Sequence, residues 1–203
     1  MTVSVKWISK LMLVNKALLL PAIFVACVVG CFALHNRMFD VWVMLFFGGI
    51  GFLRPASGTW GSLAALPMAY VIHLIGGFWL LLALSVVVFF AGLKATEALT
   101  RTGDHDPSWI VIDEVVGQWI AIMPVSFGAG MMGIEVWRLW PGWVSGFVLF
   151  RLFDIWKPWP ISWADKNISG GVGVMADDIM AGIAGAVCLY ALMQGAPRLL
   201  GMG

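Results

Sequence analysis

Charge is absent from four long stretches of this chain, and that absence constrains the fold more than any motif does. Residues 17–34, 61–93, 115–134 and 179–197 contain no Asp, Glu, Lys or Arg. A helix needs roughly 20 apolar residues to cross the hydrocarbon core of a bilayer, so several of these runs are long enough to span. Hydrophobic residues make up 61% of the chain and charged residues 11%, against about a quarter charged in ordinary soluble domains. A net charge of +1 gives no electrostatic case for binding nucleic acid. The expected fold class is all-α: a polytopic membrane helical bundle.

Read in order, the chain divides into a lead-in over 1–45 and a helical domain over 46–203. Lys6, Lys10 and Lys16 precede the first apolar run as in a signal peptide. Bulky residues continue through 27–34 without a small-residue cleavage site, so a retained helix is expected. The run 41–53 is short; thirteen helical residues cover only about 20 Å. Residues 52–67 hold a Gly, Pro, Ser and Thr cluster. This reads as a loop entering a helix, with Thr59 or Ser62 as N-cap and the backbone N–H groups of 58–62 as an anion pocket. The plain alternative is a turn between spans. The run 61–93 is too long for one crossing, and Gly76-Gly77 at its middle predicts a hairpin. His73 within it is expected to be structural. Cys27, Cys31 and Cys188 all lie in apolar runs and are expected to act as small hydrophobes. Gly182 and Gly185 in the last run permit close helix packing.

The exception to this apolar character is 150–182, FRLFDIWKPWPISWADKNISGGVGVMADDIMAG, which carries Arg151, Asp154, Lys157, Asp165, Lys166, Asp177 and Asp178. Ionisable residues near the hydrocarbon region are costly and mark functional sites. With the N-terminus inside and the Gly76-Gly77 hairpin outside, the segments around 54–62, 94–114 and 151–178 share the cytoplasmic side. Nine of the twelve Lys and Arg then lie inside, as the positive-inside rule requires. Six of the twelve tryptophans fall between 137 and 163, which predicts that the charged segment rides at headgroup level.

At about 100° per residue, Arg151, Asp154 and Lys157 span roughly 120° of a helix and can face one cleft. An intrahelical ion pair is the plain reading of Arg151 with Asp154. Asp113, Glu114, Asp177 and Asp178 each stand at the mouth of an apolar run. Two carboxylates 4 Å apart repel by about 4 kcal/mol at an effective dielectric of 20, so their convergence needs a compensating cation. Oxygen-only ligands point to Mg²⁺ or a similar hard ion. Arg151 and Lys157 suit an anionic, oxygen-rich group such as phosphate, and the Gly170-Gly171-Val172-Gly173 stretch reads as a loop offering backbone donors. Nucleophilic arrangements are poor: His35, His73 and His105 are scattered, and no Cys lies near an activating group. A cation-coupled transporter or channel component is the competing class, and it requires acids along a pathway at different depths.

Four blocks then become specific. ASGTWGSLAALP at 56–67, IVIDEVVGQWIA at 110–121, FRLFDIWKPWPI at 150–161 and GGVGVMADDIMAGI at 170–183 resemble, in order, the signature blocks of the phosphatidylglycerophosphatase A family. One departure is Ser57, where the family has Pro. The resemblance implies a Mg²⁺-dependent enzyme of the bacterial cytoplasmic membrane. Such an enzyme removes the terminal phosphate of phosphatidylglycerophosphate, with its active site facing the cytoplasm. Its implied roles are Asp113, Asp154 and Asp178 in catalysis, and Glu114, Asp154, Asp177 and Asp178 at the metal. Arg151, Lys157, Gly58 and Thr59 would take the phosphate. A metal-activated water is the expected nucleophile, and a transient aspartyl-phosphate is the second route these residues allow.

Overall fold

The computed structural model describes residues 56–100 and 111–199, all within the larger of two units into which the chain divides, Met44–Gly203. The lead-in, the run 41–53 and the polar stretch 101–110 lie outside the described residues. Among those described there is no strand. The elements are α1 (Ser57–Thr100), α2 (Ile112–Met132), a 3-10 turn (Val136–Leu139), α3 (Trp140–Trp156), α4 (Ile161–Asn167) and α5 (Gly170–Leu199). Among the described residues, three helices are long and apolar enough to cross a membrane: Ser57–Lys94, Ile112–Met132 and Gly170–Gly195.

The first of these folds back on itself. Gly77 has φ 64°, ψ −156°, a backbone region open essentially to glycine alone. Before it, Gly61 lies against Val111 and His73 Nδ1 is 2.6 Å from Ser126 Oγ, so the arm 57–76 runs alongside α2 in the same direction. After it, Phe78 packs edge-on against Phe127 and Gly92 lies against Ile112, so the second arm returns antiparallel. The hairpin expected at Gly76-Gly77 is therefore present. Its arms up to Gly76 and from Phe78 to Lys94 span about 30 and 25 Å at 1.5 Å per residue. His73, paired to a buried serine, is structural.

Two expected loops are helix instead. Residues 58–62 are the first turn and a half of α1, where Trp60 N–H donates to Ala56 O and Ser62 Oγ bonds back to Gly58 O at 2.7 Å. Thr59 and Ser62 therefore cap nothing. Residues 170–173 open α5, and a Cβ on Gly173 would overlap the Ile168 carbonyl. Glycine there admits a tight chain entry rather than presenting donors from a loop.

The tryptophans also divide. Trp137 and Trp140 are exposed just before and at the start of α3, whereas Trp156, Trp159 and Trp163 are exposed at and beyond its far end. Seventeen helical residues separate the groups by about 25 Å, which sets two aromatic levels close to a hydrocarbon thickness apart. Sequence proximity had concealed this, because one helix carries both ends.

Small residues let the helices close. A Cβ on Gly182 of α5 would strike the backbone of Gly117 in α2, and one on Gly117 would strike the Phe150 ring and the Asp178 carbonyl. Trp119, Phe150, Ile122, Met175 and Leu189 fill the interior. The buried Trp119 indole N–H is satisfied by Ala65 O at 2.9 Å, as a buried donor must be.

Candidate active site

The chain directions place the first turns of α1, α2 and α5 and the last turn of α3 at one end of the bundle. Asp113 and Glu114 occupy the first turn of α2, flanked by buried Val111, Ile112, Val115 and Val116. Asp177 and Asp178 lie two turns inside α5, not ahead of it as the start of the apolar run suggested. Successive residues on a helix point about 100° apart. Asp178 accordingly turns toward α2 and Asp177 toward Lys157.

One oxygen each from Asp113, Glu114 and Asp178 lie within 4.8 Å of one another. Asp113 is 8% and Asp178 4% exposed. Asp113 Oδ1, Glu114 Oε2 and Asp178 Oδ2 are buried with no hydrogen-bond partner among the described residues. Orphaned buried oxygens are costly, and three carboxylates at this spacing repel by on the order of 3 kcal/mol per pair. A hard divalent cation answers both the orphaned acceptors and the repulsion, and the all-oxygen donor set suits one. The cluster thus fits a metal ion.

Two cations brace the surrounding wall. Arg151 Nη1 is 2.5 Å from Asp154 Oδ2 and donates to Ser62 Oγ at 3.5 Å. Gly58 lies against both Glu114 Oε1 and Arg151, and any Cβ there would displace the glutamate. Lys157 caps α3 in a left-handed conformation, φ 43°, its N–H bonded to Phe153 O. That turn swings its ammonium to 2.6 Å from both Asp165 Oδ1 and Asp177 Oδ2. Burial works to lower its pKa, but the hydrogen bonds and charges of the two aspartates outweigh this and hold it above the ordinary lysine value.

These groups enclose a cavity of about 520 Å³, large enough for a small headgroup. Of the residues singled out in the sequence, Asp113, Glu114, Asp154, Lys157, Asp177 and Asp178 line it together. Gly58 and Arg151 stand one layer back, and Thr59 is not in the lining. The lining also includes Asp165, Lys166, Ser57 and Ser169, to which the sequence reading gave no role. The eight-residue interval from Lys157 to Asp165 fits no single helix face, so only the intervening turn of Pro158 and Pro160 reveals their pairing. Buried Gln118, one turn beyond Glu114, has neither amide atom partnered among the described residues.

Comparison with known proteins agrees with this geometry. The chain matches the family described as Phosphatidylglycerophosphatase A over residues 43–193. It is 38% identical over 158 residues to phosphatidylglycerophosphatase A of Escherichia coli strain K12, covering 76% of this chain and 84% of that protein. The Haemophilus influenzae protein of the same name is 32% identical over 145 residues, with coverage of 71% and 83%. A protein of Bacteroides thetaiotaomicron, provisionally named a phosphatidylinositol-3-phosphatase, is 36% identical over 139 residues, with coverage of 66% and 82%. A separate match to the tripartite tricarboxylate transporter TctA family covers only residues 1–61 and none of the acidic cluster. No solved structure matches. With four blocks in order, an acid-lined cavity built from them, and relatives aligned over most of its length, this chain is a phosphatase belonging to the phosphatidylglycerophosphatase A family.

Proposed function

We propose that this protein hydrolyses the terminal phosphate of phosphatidylglycerophosphate, using Mg²⁺, at the cytoplasmic face of a bacterial inner membrane. The observation that carries the reading is the trio Asp113, Glu114 and Asp178, each with a buried, orphaned oxygen, in a cavity that also holds Lys157. The relatives' names share one chemical element, a phosphomonoester on a polyol that is itself joined to the lipid by a phosphodiester. The acids gather at one end of the bundle rather than along its depth, which disfavours a transport pathway.

Asp113, Glu114 and Asp178 would hold the metal, whose contribution is Lewis-acid stabilisation of charge on the phosphoryl oxygens. Asp154 lines the cavity with one oxygen fixed by Arg151. It is the group proposed to take the proton as a water oxygen bonds to phosphorus and to pass it to the glycerol oxygen as the bond from phosphorus to that oxygen breaks, leaving the alcohol and inorganic phosphate. Arg151, absent from the lining, acts as a positioning residue for Asp154. Lys157, kept protonated by Asp165 and Asp177, presents fixed positive charge to the phosphoryl group.

Purified protein is expected to release inorganic phosphate from phosphatidylglycerophosphate with Mg²⁺, to stop with EDTA, and to recover when Mg²⁺ is restored. Release that ignores EDTA would remove the metal from the reading, and no release at all would remove the activity. The orientation is tested separately with single-cysteine variants at Lys166 and Arg138, which lie at opposite ends of the bundle. A membrane-impermeant thiol reagent applied to the cytoplasmic side should label the first and spare the second; equal labelling defeats the topology.

A further inference from the structure

The cations around the cavity are not equivalent. Arg151 pairs through Nη1 with Asp154 and stands outside the lining, and Lys157 is shared between Asp165 and Asp177. Lys166 also lines the cavity, from the last turn of α4. It is exposed, and among the described residues no ion pair or hydrogen bond engages its ammonium. Its ammonium is therefore open to a ligand's oxygens, whereas that of Lys157 also holds two carboxylates.

Its position is equally specific. Asp113 and Asp178 are buried and Glu114 half-buried, while exposed Lys166 stands with Ser169 in the part of the lining between α4 and the start of α5. Trp163, one turn earlier on α4, is exposed, as is Trp159 in the preceding turn. Tryptophan favours the headgroup level of a bilayer. Lys166 thus sits on the element that carries an exposed tryptophan, whereas Asp113 and Asp178 of the acid trio are buried. Six carboxylates line the same cavity, so a second anion entering it needs a local cation.

We propose that Lys166 is a specificity-determining residue that binds the phosphodiester of the lipid headgroup, selecting a monoester that is joined through a polyol to a second phosphate. The inference rests on the phosphatase reading and adds to it the group that distinguishes this substrate from a lipid with a single phosphate. Lys166 takes no part in bond breaking.

The test uses the full chain in mixed micelles, comparing wild type with K166A and K166R. Phosphatidylglycerophosphate is the substrate, and phosphatidic acid, which has the monoester but no diester, is the competitor. K166A should raise KM by roughly 10-fold, the scale of one charge-assisted hydrogen bond, with kcat within about twofold. The inhibition constant of phosphatidic acid should stay unchanged, and K166R should recover most of the lost affinity. An equal loss of affinity for phosphatidic acid would make Lys166 a general anion attractor and overturn the proposal. So would an unchanged KM, or a loss confined to kcat. If wild type releases no phosphate the activity itself fails, and the proposal with it; wild-type release with an unchanged K166A profile sinks Lys166 alone.

Discussion

Replacing Asp178 with Asn is expected to lower phosphate release by roughly a thousandfold, the scale of removing a group that organises transition-state charge. Asn keeps the shape and removes the charge at a position 4% exposed, within reach of Asp113 and Glu114. The loss will not come from unfolding. Without metal, three crowded carboxylates repel, so removing one should leave the metal-free protein as stable as wild type or more so. Mg²⁺ should raise the wild-type melting temperature, because a ligand bound only by the folded state stabilises it by RT ln(1 + [L]/Kd). D178N should lose most of that increment. Activity and metal response thus fall together while the metal-free melting temperature holds or rises. Wild-type turnover in D178N would remove Asp178 from the site, and a lowered metal-free melting temperature would mark its role as structural.

What could be read from the sequence followed from features that are local in the chain. Among the described residues, charge-free runs located the three long helices, and Gly76-Gly77 located the reversal, since essentially only glycine takes the conformation found at Gly77. The carboxylates were visible because charge beside apolar runs is anomalous. What could not be read depended on which face each residue presents. Residues 58–62 and 170–173 look like loops by composition, yet both are helix because their glycines serve close approach to Glu114 and to the Ile168 carbonyl. Arg151 reads as a phosphate ligand by spacing from Lys157, and in the structure its Nη1 reaches Asp154 and Ser62 while its Nε is buried without a partner among the described residues. The left-handed turn at Lys157 breaks the helical phase, so the arc drawn through Arg151, Asp154 and Lys157 stops applying at its last member. Lys166 stood out only as one charge of the segment 150–182 and drew no role, because an exposed lysine in a short amphipathic stretch is ordinary until its neighbours are placed.

The smallest change expected to dismantle the site from a distance is Gly182→Ala. Gly182 touches no charged group. Its one missing methyl is the space into which the Gly117 backbone of α2 fits, and the clash is with main chain, which cannot rotate away. Gly182 and Asp178 are one turn apart on the same face of α5, so the helix separation at Gly182 sets how far Asp178 stands from Asp113 and Glu114. Gly117 locks the contact from the other side against Phe150 and the Asp178 carbonyl. Overpacking of this kind costs about 1–3 kcal/mol in stability. A displacement near 1 Å at a reacting centre is enough to cost roughly 100-fold in rate. G182A should therefore show a lowered melting temperature, an activity loss of about that size and a weakened Mg²⁺ response. Gly195→Ala, on the same helix with open space around its Cβ position, should change none of them. If G182A matched G195A in all three measurements, the α2–α5 contact would not be what holds the carboxylates together.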